Sequence, residues 1–269
     1  LVIAAVVGGT LAWQNYTVRT QNRAADAYAQ GLDAFFAPVL PEDPPADQAN
    51  RFRGPRFRTE DARVTASLDK FRRAEQQNPA SRMAPLAKLS EASVLYQLGR
   101  YAEARQLYQS ILGQNLAGLE GRALEGLAFT LESLGDLDGA AARYRELQNA
   151  QGGIYRDHAQ FYLARLSVRR DDKARAKDLL HGVTERLARV TATDPTAASQ
   201  QQLREQAFTL LRDIDPQDPA VVAHDRANSE GGGDSHGHGA GGRDPLESLP
   251  PELREQLRQA IQQRTKQGR

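Results

Sequence analysis

Cysteine is absent from the 269-residue chain. Its absence excludes a disulfide framework, a thiolate zinc site and a lipid-modified cysteine, and it fits an oxidising compartment. Net charge is nearly absent too. The chain has 35 basic side chains against 34 acidic ones and a formal charge of +1, so no long-range field draws in nucleic acid or an acidic substrate. The marks of catalysis are also missing. No glycine-rich phosphate loop follows a strand, and neither His-Glu-x-x-His nor Gly-x-Ser-x-Gly occurs. His158 and His181 fall on different predicted helices, and the carboxylates of Glu125 and Glu132 lie on a helix face with nothing to pair them to a reaction. The expectation is a non-enzymatic protein with no cofactor and no small-molecule substrate. A metal is not expected either: His224, His236 and His238 lie in or beside a glycine-rich stretch that offers no ordered second shell.

Long apolar runs are limited to one, Leu1 to Trp13, which carries no charge. A membrane span needs about 20 such residues and a signal-peptide core about 7–15. Trp13 and Tyr16 stand where the run meets Gln, Asn and Arg, as in an interfacial aromatic belt. No small-x-small cleavage site follows, so residues 1–18 are expected to form a retained transmembrane helix that lacks residues upstream of Leu1. Ala4, Gly8 and Ala12 share one of its faces. A connecting helix is expected at 19–37, with Ala24, Tyr28, Leu32, Phe35 and Phe36 in one stripe. Pro38, Pro41, Pro44 and Pro45 end that helix and open a proline-broken loop at 38–58, which interleaves Phe52 and Phe57 with Arg51, Arg53, Arg56 and Arg58. Its expected role is to pin the two phenylalanines onto the body of the protein.

What the chain has in abundance is a repeat. Between Pro85 and Val183 a helical pattern recurs three times, with Gly99, Gly135 and Asp171 in register at 36-residue intervals. The same alignment stacks Ala92, Ala128 and Ala164, and then Ala104, Ala140 and Ala176. Further on it stacks Tyr108, Tyr144 and Leu180, and then Ile111, Leu147 and Val183. Matched small and large positions at a fixed period are the signature of a solenoid, in which each unit buries its apolar face only against its neighbours. The alanines supply grooves and the large residues fill them. Glycine at 99 and 135 allows the positive φ that reverses the chain, and Asp171 predicts a weaker turn in the third unit. A degenerate second helix is read at 63–77, and Ser199 to Asp213 reads as a closing helix with Leu203, Ala207, Leu210 and Leu211 inward. The fold class is therefore all-α, a helical-hairpin solenoid over 59–214. A flexible Gly/His-rich linker at 215–245 and an amphipathic C-terminal helix at 246–269 are expected to follow, the latter with Leu249, Leu253, Leu257 and Ile261 in a stripe.

These units resemble the tetratricopeptide repeat family. Unit one matches its pattern at Ala92, Gly99, Tyr101, Ala104, Tyr108 and Ile111, and unit two at Leu127, Ala128, Gly135, Ala140, Tyr144 and Leu147. Unit three matches at Leu163, Ala164, Ala176 and Val183, while the family's Trp and closing Pro are missing from all three. The resemblance implies a concave side lined by the first helix of each hairpin. Its ligand-facing positions map to Leu89, Ser93, Tyr96 and Gln97, then to Arg122, Glu125, Phe129 and Glu132, and finally to His158, Phe161, Arg165 and Arg169. Leu89 and Phe161 serve equally well as packing between repeats. The candidate protein-binding groove is thus Tyr96, Gln97, Arg122, Glu125, Phe129, Glu132, His158, Arg165 and Arg169, suited to a peptide or partner helix. It does not match the family's carboxylate clamp, which wants Lys and Asn where this chain has Leu89 and Ser93.

The order of parts, with Trp13, Tyr16, Ala24, Ala25 and Tyr28 ahead of degenerate repeats, resembles the YfgM-like ancillary subunits of the bacterial Sec translocon. That resemblance implies a single-pass inner-membrane adaptor whose repeats stand in the periplasm and meet translocating clients and chaperones. The alternatives are a scaffold of a cell-envelope or division complex and a periplasmic metal-binding protein.

Overall fold

Ten α-helices account for the residues described in the computed structural model, which are 2–42, 54–77, 79–116, 118–191 and 193–230. They are α1 (Val2–Phe35), α2 (Glu60–Gln77), α3 (Ala84–Gln97), α4 (Tyr101–Leu112), α5 (Glu120–Ser133), α6 (Leu137–Leu147), α7 (Arg156–Arg169), α8 (Lys173–Leu187), α9 (Ala197–Ile214) and α10 (Pro219–Glu230). From α1 to α9 each helix packs on the next in the chain, and α3 also meets α5 while α7 meets α9. That is the contact pattern of a solenoid of antiparallel hairpins. No strand forms among the described residues; one isolated bridge joins Val39 to Phe57.

The repeat predicted from spacing is the core of the molecule. Ala92, Ala104, Ala128, Ala140, Ala164 and Ala176 are all fully buried, and so are Tyr144, Leu147, Leu180 and Val183. A methyl side chain at each alanine lets the paired helices approach until the large residue of the neighbouring turn fills the groove.

All three hairpins turn the same way. Gly99, Gly135 and Asp171 take φ of 71°, 81° and 60°. In each, the amide of the next residue reaches back across the turn, Arg100 to Leu95, Asp136 to Leu131 and Asp172 to Ser167, at 2.9 Å in every case. This six-to-one bond closes a Schellman motif. Asp171 therefore holds the left-handed geometry that glycine holds in the other two, and Asp172 then caps α8 by accepting from the Arg175 amide at 3.1 Å.

Two expectations need revision. Residues 1–18 and 19–37 were expected to be a span and a separate connector, but α1 is one uninterrupted helix from Val2 to Phe35. No helix among the described residues is long and apolar enough to cross a membrane; in α1 the apolar stretch gives way to Gln14, Asn15 and Arg19. The side chains of Ala4, Gly8 and Ala12 lie outside the described set. The C-terminal half of α1 is instead the partner of α2. Ala24 and Ala34 are buried, and a Cβ added at Gly31 would stand 2.5 Å from the Phe71 ring. This makes α1 and α2 a fourth hairpin, with the proline-broken loop as its connection. The loop closes at its base, where the Leu40 amide donates to the Phe57 carbonyl at 2.8 Å and Arg58 Nη1 donates to the Pro41 carbonyl at 2.8 Å. Phe52 lies outside the described residues.

The second revision concerns 215–245. Its first part is helical: α10 opens at Pro219, whose fixed φ suits a first helical position, and continues through Ala220, Val221, Val222 and Ala223. Residues 231–245, with His236 and His238, and the expected helix at 246–269 lie outside the described residues. The helix α10 belongs to a unit separate from residues 1–218. The closing helix α9 buries Leu203, Ala207, Phe208 and Leu211, so Phe208 takes the inward place expected of Leu210.

Candidate functional site

The first helices of successive hairpins, α1, α3, α5 and α7, present one face to a groove that has two adjoining hollows. The apolar one, about 520 Å³, is walled by Tyr28, Leu32 and Phe35 of α1 and by Phe36 just beyond it, and is floored by Phe71. Leu89, Ser90, Ser93, Tyr96 and Gln97 line it from α3, and Arg122, Glu125, Gly126 and Phe129 from α5. The second, about 570 Å³, is lined by Tyr96, Phe129, Glu132, Ser133, Arg165 and Arg169. Tyr96 and Phe129 border both, which makes the two hollows one continuous surface. Eight of the nine residues expected in the groove line it. His158 does not; it sits in the first turn of α7 with its ring 6.4 Å from that of Tyr162.

The polar end is built around Glu132, which is buried, with 8% of its surface exposed. Arg165 Nη2 and Arg169 Nη1 each donate to it at 2.9 Å, one to each carboxylate oxygen, and the Tyr144 hydroxyl donates to it as well. A buried carboxylate is tolerable only when paired and hydrogen-bonded in this manner. Arg165 also lies over two rings, its guanidinium carbon 5.3 Å from the Phe129 centroid and 5.4 Å from that of Tyr162. Phe129, Tyr144 and Tyr162 pack mutually at 4.9–5.9 Å between centroids. Tyr162 in turn donates to Glu125 Oε1 at 2.8 Å. These contacts fix the rotamers of the arginines and set their guanidinium planes against aromatic faces.

Burial is the main cause of the tyrosine shifts. It pushes the Tyr144 hydroxyl far above the ordinary tyrosine range, and the Glu132 carboxylate beside it adds to the effect. Tyr162 is raised by burial and then by Glu125. Tyr108 is raised by burial, against the opposing hydrogen bond from Ser93. All three stay neutral, so the groove's charges are those of its arginines and glutamates.

No group of three or more His, Asp or Glu side chains that could hold a metal forms among the described residues. The arrangement offers apolar area, ring faces and guanidinium donors, which are the means of gripping a chain.

The residues that sequence reading left out of the groove are those of α1 and α2. Tyr28, Leu32 and Phe35 were visible as a stripe; what pairs that stripe with the repeats is the small residue at Gly31 facing Phe71, across a connection far longer than any other in the stack.

A family model described as tetratricopeptide repeat matches residues 60–120 and 89–157. Residues 60–157 are tetratricopeptide repeats. Among solved structures, nearly identical TPR-like repeats assigned to a kinesin light chain of Podospora anserina superpose with a TM-score of 0.50 at 15% identity, over 65% of this chain and 92% of that one. A tetratricopeptide repeat protein from Parabacteroides merdae gives a TM-score of 0.43 at 15% identity, over 77% of this chain and 74% of that one. None of the curated proteins matches the chain. The tetratricopeptide fold is that of a protein–protein interaction scaffold, and the first helices that line its groove here are α3, α5 and α7, joined by α1.

Proposed function

We propose that the protein is an adaptor that grips a segment of another protein in the groove between α1, α3, α5 and α7, and that it performs no chemistry on it. The observation that carries this reading is the ring-lined hollow. Tyr28, Phe35, Tyr96 and Phe129 reach its surface without completing a core, and apolar area open to solvent beside fixed polar groups is what binding surfaces present. The finer reading places the adaptor in the bacterial envelope, tethered at the inner membrane through residues 1–18 with its repeats in the periplasm beside the Sec translocon. Its support is the uncharged apolar opening of the sequence and the Trp13–Tyr28 pattern.

Photo-cross-linking in cells tests the groove. A benzophenone side chain placed at Phe129 is expected to capture partner protein, while one at Gln109 on α4 is not. Capture from Gln109 alone would show that another face does the gripping. Carbonate extraction of membranes tests the finer reading: recovery of the full-length protein in the supernatant removes the tether.

A further inference from the structure

The groove is not symmetric in charge. Arg122, Arg165 and Arg169 line it together with Glu125 and Glu132. Both oxygens of Glu132 are already committed, to two guanidiniums and a hydroxyl, whereas Glu125, in the apolar hollow, accepts from the Tyr162 hydroxyl at Oε1. The guanidiniums keep donors to spare. Each carries five N–H donors; Arg169 spends Nη1 on Glu132, and Arg165 spends Nη2 on Glu132 and Tyr144. The side chains of Arg165 and Arg169 remain 37% and 47% exposed, and Arg122 is in no ion pair among the described residues. The polar hollow, where Phe129 leads out of the apolar one, therefore has spare cationic donors, and the carboxylate that lines it, Glu132, has both oxygens occupied.

We propose that the occupant of the groove is an extended acidic-apolar segment of a partner protein, with a large apolar side chain in the ring-lined hollow and an Asp or Glu on the Arg165–Arg169 pair. The proposal rests on the groove reading above and names the chemistry of its partner. The geometry suits an extended chain, in which residues i and i+2 point the same way about 7 Å apart. An apolar residue beside Phe129 then delivers the carboxylate of its second neighbour to the guanidinium that stacks on that same ring. Both arginines are preorganised by Glu132, so little conformational freedom is lost when the second carboxylate arrives. A charge-assisted pair on a partly shielded guanidinium contributes more than a rim contact.

Anisotropy titrations of the full chain with labelled decapeptides test this. One peptide carries Phe-Ser-Glu in a serine background, and its variants replace Glu by Gln, Glu by Lys, or Phe by Ser. The Phe-Ser-Glu peptide is expected to bind about tenfold tighter than the Gln form and tighter still than the Lys form, with the margin shrinking as salt is added. Arg169→Gln, which leaves Arg165 on Glu132, is expected to erase most of that margin, and a thermal melt by circular dichroism checks the fold. Equal affinity for the Glu, Gln and Lys forms, all weakened by Phe129→Ala, overturns the acidic preference while leaving the groove reading intact. Binding that is insensitive to Phe129→Ala, or no binding by any of the four, overturns both.

Discussion

The Tyr108 ring lies against the backbone of Gly126, so that a Cβ added at 126 would stand 2.3 Å from the ring. Tyr108 belongs to α4 and Gly126 to α5, and this close approach is where one hairpin docks on the next. The Tyr108 hydroxyl also shares a hydrogen bond with Ser93 on α3 at 3.1 Å, so one side chain ties three helices together below the apolar hollow.

Replacing Gly126 by alanine is therefore expected to cost stability, although alanine is the better helix former by about 1 kcal/mol. Overpacking of this kind costs about 1–3 kcal/mol, and the ring has to leave both the Gly126 backbone and Ser93 to relieve it. Chemical denaturation measures the sign. A variant as stable as the parent would mean that Tyr108 swings aside freely, and that the spacing of α4 and α5 is not set by this contact.

Asp171→Gly is expected to stabilise the protein by about 0.5–1 kcal/mol. A non-glycine residue in the left-handed region bears a backbone strain of about 1–2 kcal/mol, and glycine relieves it at some cost in unfolded-chain entropy. The reverse change at the equivalent turns, Gly99→Ala or Gly135→Ala, is expected to destabilise by about 1 kcal/mol. A Cβ at Gly99 or Gly135 meets nothing within 4 Å, so the effect isolates backbone strain from packing. Equilibrium unfolding of the three variants checks that the signs are opposite.

Those turns also show why so much of the fold was legible in the sequence. Packing in a solenoid is local, so the alanines and large residues that meet in space recur at a fixed interval along the chain, and the register of Gly99, Gly135 and Asp171 shows it. The concave positions follow from the same register, and eight of the nine expected there line the two hollows. The fourth hairpin broke the interval. Its two helices are separated by the proline loop, and the stripe of Tyr28, Leu32 and Phe35 follows an apolar run that carries no register of the repeats. His158 stands in the first turn of α7, about two turns before Arg165, the first residue of that helix to line a hollow. Nothing in a repeat pattern specifies that Glu132 would gather two arginines and a tyrosine, since that contact joins residues whose types change from unit to unit.

Glu132→Gln tests what that gathering does. The amide keeps an acceptor for Tyr144 but leaves Arg165 and Arg169 adjacent without a shared anion. Loss of charge-assisted bonds of this type costs about 1.5–3 kcal/mol when they are shielded, and the half-exposure of both arginines reduces the expected loss to about 1–2 kcal/mol. The groove's positive charge rises by one at the same time. Affinity for a Phe-Ser-Glu peptide is then expected to hold or increase while the melting temperature falls, a divergence that a purely structural role for Glu132 would not produce.

Alkali is expected to open the stack at its tyrosines. Tyr108, Tyr144 and Tyr162 all have folded-state pKa values raised above the ordinary value of 10.0, because burial opposes the phenolate and Glu132 or Glu125 repels it. Unfolded, each hydroxyl ionises near pH 10; folded, it holds its proton. The sign follows from linkage: the unfolded state binds fewer protons above pH 10, so stability is fully present below that pH and drains away as pH rises beyond it. Each tyrosine that stays protonated in the fold contributes up to about 1.4 kcal/mol of loss per pH unit. Melting temperature against pH should be level through neutrality and fall steeply above about pH 10. Tyr144→Phe, which removes the most strongly shifted hydroxyl of the three, should make that fall shallower. A parallel fall in the parent and the variant would mean that Tyr144 ionises in the fold as it does in water, and that its contact with Glu132 does not hold in solution.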